Sequence, residues 1–390
     1  MISRKISAVV QKLARNFPAL SITGPRQSGK TTLCRALFPE RAYINFEDLS
    51  ERERFTRDPK GFISQYTEGA IFDEVQRVPD LFSYLQVEID RDRSPGRFIL
   101  SGSQNFLLSE NISQSLAGRV AIIRLFPLVL SEIEQTGKLQ GEELWHYIYC
   151  GQYPELYKNS ITPELWYPNY LETYVERDIR NLKQITNLER FTTFVRLLSG
   201  RAGQLLNYAS LGSDVGIDEK TVKSWLGVLE ASYLVFRLPP YFKNFNKRLI
   251  KNPKIYFCDS GLLCFLLGIR SAADLRTHPL RGNIFENWVL SEFMKMNHNC
   301  YAHKEFYFWR TKGQQEIDVL FESKGSLFAG EIKSAATIGA DFFDELTSFA
   351  EFAPDVIPFL IYGGEKGHQE SGVTVFGWRE LGNLEEYFLD

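Results

Sequence analysis

Apolar residues fall along this chain in three successive patterns, each predicting a different kind of structure. From Met1 to Leu20, basic residues alternate with Ile6, Val9, Val10 and Leu13 at helical spacing, which predicts that this stretch is an amphipathic helix. Short apolar runs then alternate with helical periods. Ala19-Leu20-Ser21-Ile22 reads as a strand, residues 32–37 as a helix, Ala70-Ile71-Phe72 as a buried strand and residues 97–101 as another. Strands separated by helices predict a parallel sheet covered on both faces, and the alternation persists to about Leu130. A helical, aromatic-rich stretch follows from Glu142 to about Lys183, and a purely helical pattern runs from Phe191 to the strand-like Tyr233-Leu234-Val235-Phe236-Arg237-Leu238, stopped by Pro239-Pro240. From about Tyr241 one long helix is mixed with several short strands.

No repeat or low-complexity tract interrupts these patterns, and 390 residues exceed one ordinary domain. The pattern changes therefore mark the expected boundaries, at 1–135, 136–185, 186–240 and 241–390. With 44% hydrophobic and 24% charged residues, the chain can bury substantial cores as a soluble protein. A net charge of −3 excludes a global polycation, so any nucleic-acid binding must be local. Cys34, Cys150, Cys258, Cys264 and Cys300 show no C-x-x-C spacing and the histidines form no cluster with them, which argues against zinc and against a disulfide framework. The opening helix is not a signal peptide, and the most apolar run, Gly261 to Ile269, is too short to cross a bilayer. A cytoplasmic protein without a membrane partner is expected.

The loop after the first strand reads Gly24-Pro25-Arg26-Gln27-Ser28-Gly29-Lys30-Thr31 and runs on into Thr32. It fills every fixed position of the phosphate-loop pattern G-x-x-x-x-G-K-[ST], between a strand and a helix. Its glycines let backbone N–H groups curl around phosphate at a helix N-terminus, where the macrodipole favours negative charge. These nine residues are the expected contacts to ATP, with Lys30 reaching the β- and γ-phosphates and Thr31 ligating Mg²⁺. Roughly forty residues on, the strand 70–72 ends in Asp73-Glu74. Asp73 is expected to hold Mg²⁺ through water and Glu74 to polarise the attacking water. Such a strand ending is common alone and gains its meaning from the P-loop before it. The strand 97–101 leads into Gly102-Ser103-Gln104-Asn105, where Ser103 is placed to sense the γ-phosphate. Ligands of open α/β sheets bind at the carboxyl ends of the strands, so the three polar clusters predict one site.

Residues 205–238 carry the pattern of a winged helix-turn-helix. Residues 207–215 make a first helix, Gly216 the turn, Asp218 the N-cap of a second helix over 219–229, and a wing strand follows. Val222, Trp225, Leu226 and Leu229 form the apolar face of the second helix and leave Glu219, Lys220, Lys223 and Ser224 outward, the side that enters DNA in a groove reader. Two lysines beside an acid make only a modest basic surface, and the same fold also docks proteins. Beyond it, Lys243, Lys247, Arg248, Lys251 and Lys254 crowd among Tyr241, Phe242 and Phe245, a stretch suited to phosphate contact or to a solvated loop.

In the last third, residues 282–296 read as a helix carrying Glu286, followed by strands at 306–310, 316–320 and 328–333. Residues two apart on a strand face the same side, so Glu331 and Lys333 project together. With Asp318 on the neighbouring strand, the carboxylates of Asp318 and Glu331 can clamp Mg²⁺ or Mn²⁺, and Lys333 can orient or deprotonate water. That is the constellation of the PD-(D/E)XK nuclease superfamily, with Glu286 as a supporting acid. On an edge strand the same E-x-K would mean only alternating surface charge.

The chain resembles a large prokaryotic family of AAA-type ATP-binding proteins whose C-terminal region is a domain of unknown function. The likeness rests on residues 24–31, Phe72-Asp73-Glu74-Val75-Gln76, Leu100-Ser101-Gly102-Ser103-Gln104, Leu116-Ala117-Gly118-Arg119-Val120, Tyr174-Val175-Glu176-Arg177-Asp178-Ile179, Phe285-Glu286-Asn287 and Glu331-Ile332-Lys333-Ser334. It implies an AAA ATPase joined to a winged helix and a PD-(D/E)XK-like domain. It also implies rings in which an arginine of one subunit completes its neighbour's site; Arg119 and Arg177 match that role, and either equally fits a structural ion pair. The expected fold is therefore α/β: a P-loop AAA-type αβα core over 1–135, a helical lid over 136–185, a winged helix-turn-helix over 186–240 and a PD-(D/E)XK-like mixed α/β domain over 241–390. The expected function is ATP hydrolysis coupled to action on DNA, with a homo-oligomer as partner. The alternative is a nucleotide-dependent switch of protein partners with a non-catalytic C-terminal scaffold.

Overall fold

A computed structural model describes residues 2–103, 116–138, 141, 143–174, 185, 187–241, 251–313 and 315–389. Gln104, Asn105, Arg177, Lys243, Lys247 and Arg248 lie outside the described residues. Contacts divide the chain into two compact units, Met1–Pro127 with Ala231–Tyr233, and Leu128–Glu230 with Leu234–Asp390.

The first unit is a parallel sheet between helices. Its strands are β1 (Ala19–Thr23), β2 (Ala42–Asn45), β3 (Ala70–Asp73), β4 (Phe98–Gly102) and β5 (Val120–Arg124), and its helices are α1 (Ser7–Ala14), α2 (Lys30–Leu37), α3 (Leu49–Arg57), α4 (Pro59–Ser64) and α5 (Leu81–Arg91). The strand order is β2-β3-β4-β1-β5, with each neighbouring pair parallel. All of β1 and β4 is buried, as strands covered on both faces must be. Because β4 runs between β1 and β3, the loops leaving all three strands open on one edge of the sheet. Phe46, Phe55, Phe62, Phe72 and Phe98 pack into one aromatic core, with Phe72 stacked on Phe46 at 5.9 Å and on Phe98 at 6.1 Å. Ring pairs of this kind add about 0.5–1.5 kcal/mol each beyond the area they bury, so β3 has a rigid floor.

The second unit holds helices α6 (Leu130–Glu134), α7 (Leu144–Cys150), α8 (Pro154–Lys158), α9 (Pro163–Tyr170), α10 (Leu188–Ser199), α11 (Tyr208–Val215) and most of α12 (Glu219–Ala231). The antiparallel pair β6 (Val235–Leu238) and β7 (Lys254–Phe257) follows. Gly216, at φ 76°, makes the turn between α11 and α12, and Asp218 accepts a hydrogen bond from the Thr221 N–H at 2.8 Å. Trp225 of α12 packs edge-on against Phe191 and Phe194 of α10 at 5.3 and 5.4 Å.

Beyond α13 (Ser260–Leu266) and α14 (Ala272–Thr277), the long helix α15 (Arg281–Asn299) leads into β8 (Phe306–Arg310), β9 (Glu316–Ser323), β10 (Ser326–Lys333), α16 (Asp344–Ala350), β11 (Ile357–Tyr362), β12 (His368–Glu370), β13 (Val373–Gly377) and α17 (Glu385–Phe388). The sheet order is β12-β13-β11-β10-β9-β8, parallel at β10/β11 and β11/β13 and antiparallel elsewhere. Alternation along the strands separates its faces. Phe321 and Phe359 meet Phe293 of α15 on one side, while Leu320 and Leu360 join Leu346 and Phe349 of α16 on the other. One expectation is corrected here. Lys254, grouped from sequence with a basic loop, is a strand residue only 3% exposed, its ammonium turned into a cluster of acids.

Candidate functional site

The residues expected at the P-loop lie together at the carboxyl edge of the first sheet. Gly24 leaves β1 at φ 148°, and a Cβ there would stand 2.1 Å from the Leu125 carbonyl oxygen, so no larger residue fits. Gly29, left-handed at φ 94°, is the N-cap of α2 and turns the loop into the helix, whose unpaired first N–H groups suit an anion. Ser28 is fully buried and its hydroxyl has no partner among the described residues. Lys30 Nζ donates to the carbonyls of Gly24 at 2.9 Å and Pro25 at 2.7 Å. Burial lowers this ammonium to about 8, against the opposing pull of Glu74 and Asp73. A buried ammonium hydrogen-bonded to two loop carbonyls, beside a buried hydroxyl and a helix N-terminus, is a donor set for a polyphosphate.

Asp73 ends β3 with its carboxylate saturated by donors. Thr31 Oγ1 donates to it at 2.7 Å, Tyr43 OH at 2.8 Å and the Glu74 N–H at 3.1 Å, and the Ser101 hydroxyl donates from β4. Thr31 and Asp73 therefore stand in direct contact, and they are the residues that would hold Mg²⁺. Glu74 follows at φ 55°, a left-handed conformation that costs a residue with a Cβ on the order of 1 kcal/mol or more. The turn directs its carboxylate to the Gln76 side-chain amide and to within 3.5 Å of the Ser103 hydroxyl. Burial raises the Glu74 carboxyl above its ordinary range, with Lys30 working against that rise. Arg26, Gln27 and Thr32 line the same loop and first turn, and Arg26 faces Glu47 at 3.7 Å.

A second polar cluster lies within the second unit, around a cavity of about 610 Å³. Glu286 comes from α15, Asp318 from β9, and Glu331 and Lys333 from β10. Lys333 Nζ meets Glu331 Oε2 at 2.6 Å, and Asp318 Oδ2 accepts the Ile332 N–H at 2.9 Å. Glu331 is 2% exposed and its other oxygen, Oε1, has no partner among the described residues. An all-oxygen donor set with a buried unpaired carboxylate oxygen fits a hard cation in kind. Its arrangement is different, since among the described residues no three acidic, histidine or cysteine side chains are gathered to hold a metal ion. A lysine from β7 takes the centre instead: Lys254 Nζ lies 2.9 Å from Glu286, 2.5 Å from Glu316 and 3.8 Å from Asp318. Burial works against the Lys254 charge, but Glu286, Asp318 and Glu316 hold it well above the ordinary lysine range; burial pushes Glu286 up to about 7.

Residues 16–134 match the AAA domain family, residues 141–273 a domain of unknown function (DUF8612) and residues 281–381 another (DUF4143). The uncharacterized protein Rv2008c of Mycobacterium tuberculosis is 32% identical over 338 residues, covering 86% of this chain and 74% of its own length. The chain belongs to its family. An uncharacterized protein of Haemophilus influenzae is 22% identical over 335 residues, covering 77% of this chain and 80% of its own. Among solved structures, the Walker-type ATPase PABY2304 of Pyrococcus abyssi superposes with a TM-score of 0.44 at 15% identity, over 68% of this chain and 96% of its own. With its AAA domain and complete phosphate loop, the family member described here is a P-loop ATPase of AAA type.

Within this AAA-type ATPase, sequence reasoning missed several residues that hold the site together. Arg4, buried just before α1, donates from Nη1 to the Ser28 carbonyl at 2.8 Å and from Nη2 to the Phe126 carbonyl at 2.7 Å. Tyr43 and Ser101 meet Asp73, Gln76 meets Glu74, and Glu316 and Lys254 enter the second cluster. Only Gln76, two residues beyond Glu74, carried a local signal. Arg119 is engaged by Asp90 through two contacts of 2.8 Å, so acting on a neighbouring subunit requires releasing that acid. No described helix is long and apolar enough to cross a membrane.

Proposed function

We propose that this AAA-type ATPase acts on DNA in the cytoplasm, using ATP hydrolysis to change how its winged helix-turn-helix and its PD-(D/E)XK-like domain engage the nucleic acid. In the nucleotide step Lys30 and the loop N–H groups hold the phosphates, Thr31 and Asp73 hold Mg²⁺, and Glu74 receives a proton from the attacking water while Ser103 lies beside it. Mg²⁺ supplies charge neutralisation at the phosphates when bound. Gln76, bonded to Glu74, is a positioning residue that must release or share the carboxylate for the water to approach. A ring in which Arg119 or Arg177 completes the neighbour's site belongs to the same reading.

The observation that carries the DNA reading is the grouping of Glu286, Asp318, Glu331 and Lys333 on one helix and two adjacent strands around one cavity, with carboxylates of the donor type that Mg²⁺ or Mn²⁺ would take at a phosphodiester. Lys333 is the residue placed to orient or deprotonate water there. The test is ATP turnover with and without duplex DNA across a salt series. Wild type is expected to be stimulated by DNA, Lys30→Ala to lose nucleotide binding and turnover, and Glu74→Gln to bind without turnover. Replacing Lys247, Arg248 and Lys251 together should weaken DNA binding and flatten its salt dependence. Absence of DNA binding at any salt overturns this reading. It would favour a nucleotide-dependent switch for protein partners, a reading supported by Lys254 standing where a cation would sit.

A further inference from the structure

The cavity holding Glu286, Asp318 and Glu331 carries an unbalanced charge. Its lining includes five carboxylates, Glu286, Glu316, Asp318, Glu331 and Glu345, against three cations, Lys254, Lys333 and Arg310. Lys333 neutralises Glu331 from the cavity side and Arg310 reaches Glu316 at 3.0 Å. Lys254 contacts three acids from two elements, Glu286 of α15 and Glu316 and Asp318 of β9. It does so from a strand fixed independently of the acids. β7 pairs with β6 through Lys254 and Leu238, bridges to Leu205 on its other side, and presents the ammonium 5.6 Å above the Phe308 ring. The Tyr256 hydroxyl, two residues along the same strand, donates to Glu286 at 2.5 Å. Among the described residues lining the cavity, Glu331 Oε1 and Arg310 Nε are buried without a hydrogen-bond partner.

We propose that Lys254 is the resident cation of the cavity and gates its metal loading: the ammonium occupies the place between Glu286, Glu316 and Asp318, and a divalent ion binds tightly only when that charge is withdrawn. The proposal rests on the reading of Asp318 and Glu331 as metal ligands. A divalent ion seated between the same acids would stand a few ångströms from the ammonium, and two positive charges that close repel each other. A monovalent ammonium leaves the five acids only partly compensated, so the cavity keeps an affinity for added charge that Lys254 holds in check. β7 belongs to the same short sheet as the strand following α12. Because Lys254 is carried on β7, withdrawing its charge requires that strand to shift away from Glu286 and Glu316.

The test is Mn²⁺ binding to the full-length protein without nucleotide, followed by the electron paramagnetic resonance of free Mn²⁺. Only the part of the binding removed by Asp318→Asn is counted. Wild type and Lys254→Arg are expected to bind weakly, and Lys254→Met to bind about tenfold tighter or more, the expected consequence of removing one facing charge. Near-UV circular dichroism checks folding; if the methionine variant does not fold, Lys254→Gln, which keeps a hydrogen-bonding head, gives the same comparison. Equal, Asp318-dependent affinity in wild type and the neutral variants overturns the lysine gate and leaves the metal centre standing. Absence of Asp318-dependent Mn²⁺ binding in every protein removes the metal centre itself, and the gate with it.

Discussion

Lys30 shows at the scale of one residue how a motif and its surroundings divide the work. The motif placed it correctly, because the P-loop is local: two glycines, a tight turn and a helix start determine where the lysine goes. Its protonation could not be read that way, because burial and the carboxylates of Asp73 and Glu74 come from a strand far along the chain. Burial lowers the free ammonium to about 8. A nucleotide's phosphates favour the charged form and must raise that value again. The sign follows: between the free and bound values the empty site is largely neutral and the filled site is charged, so binding takes up a proton and affinity falls as pH rises past about 8. Calorimetry of ADP binding at pH 8.5 in buffers of different ionisation enthalpy is expected to show uptake of a sizeable fraction of a proton, and almost none at pH 6.5. Equal enthalpies in all buffers at pH 8.5 would rule this out. Tyr43 and Ser101 were invisible for the same reason as Lys30's titration. A tyrosine on β2 and a serine on β4 become partners of Asp73 only when the strand order β2-β3-β4 brings them beside it.

Elements were read well wherever one segment's own periodicity decides its structure. The strands at 19, 70, 98, 306, 316 and 326, the helix after the P-loop and the helix pair around Gly216 all form within a few residues of their expected places. The opening helix came out shorter, Ser7–Ala14. Arg4 lies before its first turn, and its guanidinium bridges the P-loop and the segment after β5. No periodicity announces such a bridge, because its partners are backbone carbonyls 24 and 122 residues away. Lys254 is the opposite case: a run of basic residues suggested a solvated loop, and pairing with β6 buried one of them. Arg4→Ala removes a buried charged donor from two carbonyls, a loss of roughly 2 kcal/mol or more. If about 1.4 kcal/mol of that is the ordering of the P-loop, nucleotide affinity drops about tenfold. Titration with a fluorescent ADP analogue and a urea melt of the same protein measure both quantities. A lower midpoint with unchanged affinity would mean that Arg4 anchors α1 and does nothing for the loop.

On the scale of the whole molecule, the first unit is not a continuous segment, and no pattern in the sequence indicated this. The matched AAA span ends at residue 134, yet the compact unit ends at Pro127 and takes in Ala231–Tyr233 from much further on. Tyr233 explains why. Its φ of 57° turns the chain sharply, its ring meets Phe126 edge-on at 5.5 Å, and its hydroxyl lies 2.8 Å from Thr23 Oγ1, one residue before the P-loop glycine. Thr23 in turn donates to the Ile123 carbonyl at 3.3 Å, so the tyrosine donates and closes a short chain of hydrogen bonds across β1 and β5. Removing only the hydroxyl, in Tyr233→Phe, is expected to cost about 1 kcal/mol, and removing the ring, in Tyr233→Ala, roughly 3 kcal/mol. The two units can be followed separately, because all six tryptophans belong to the second. Release of a bound fluorescent ADP reports the first unit in a urea titration, and tryptophan fluorescence reports the second. Tyr233→Ala should move the nucleotide-reported midpoint further than the tryptophan-reported one, with Tyr233→Phe intermediate. A shift confined to the tryptophan signal would show that residues 231–233 contribute nothing to the cohesion of the nucleotide-binding unit. A fragment ending at residue 134 should then be as stable as that unit in the full chain, whereas the contacts of Tyr233 require the fragment to be weaker.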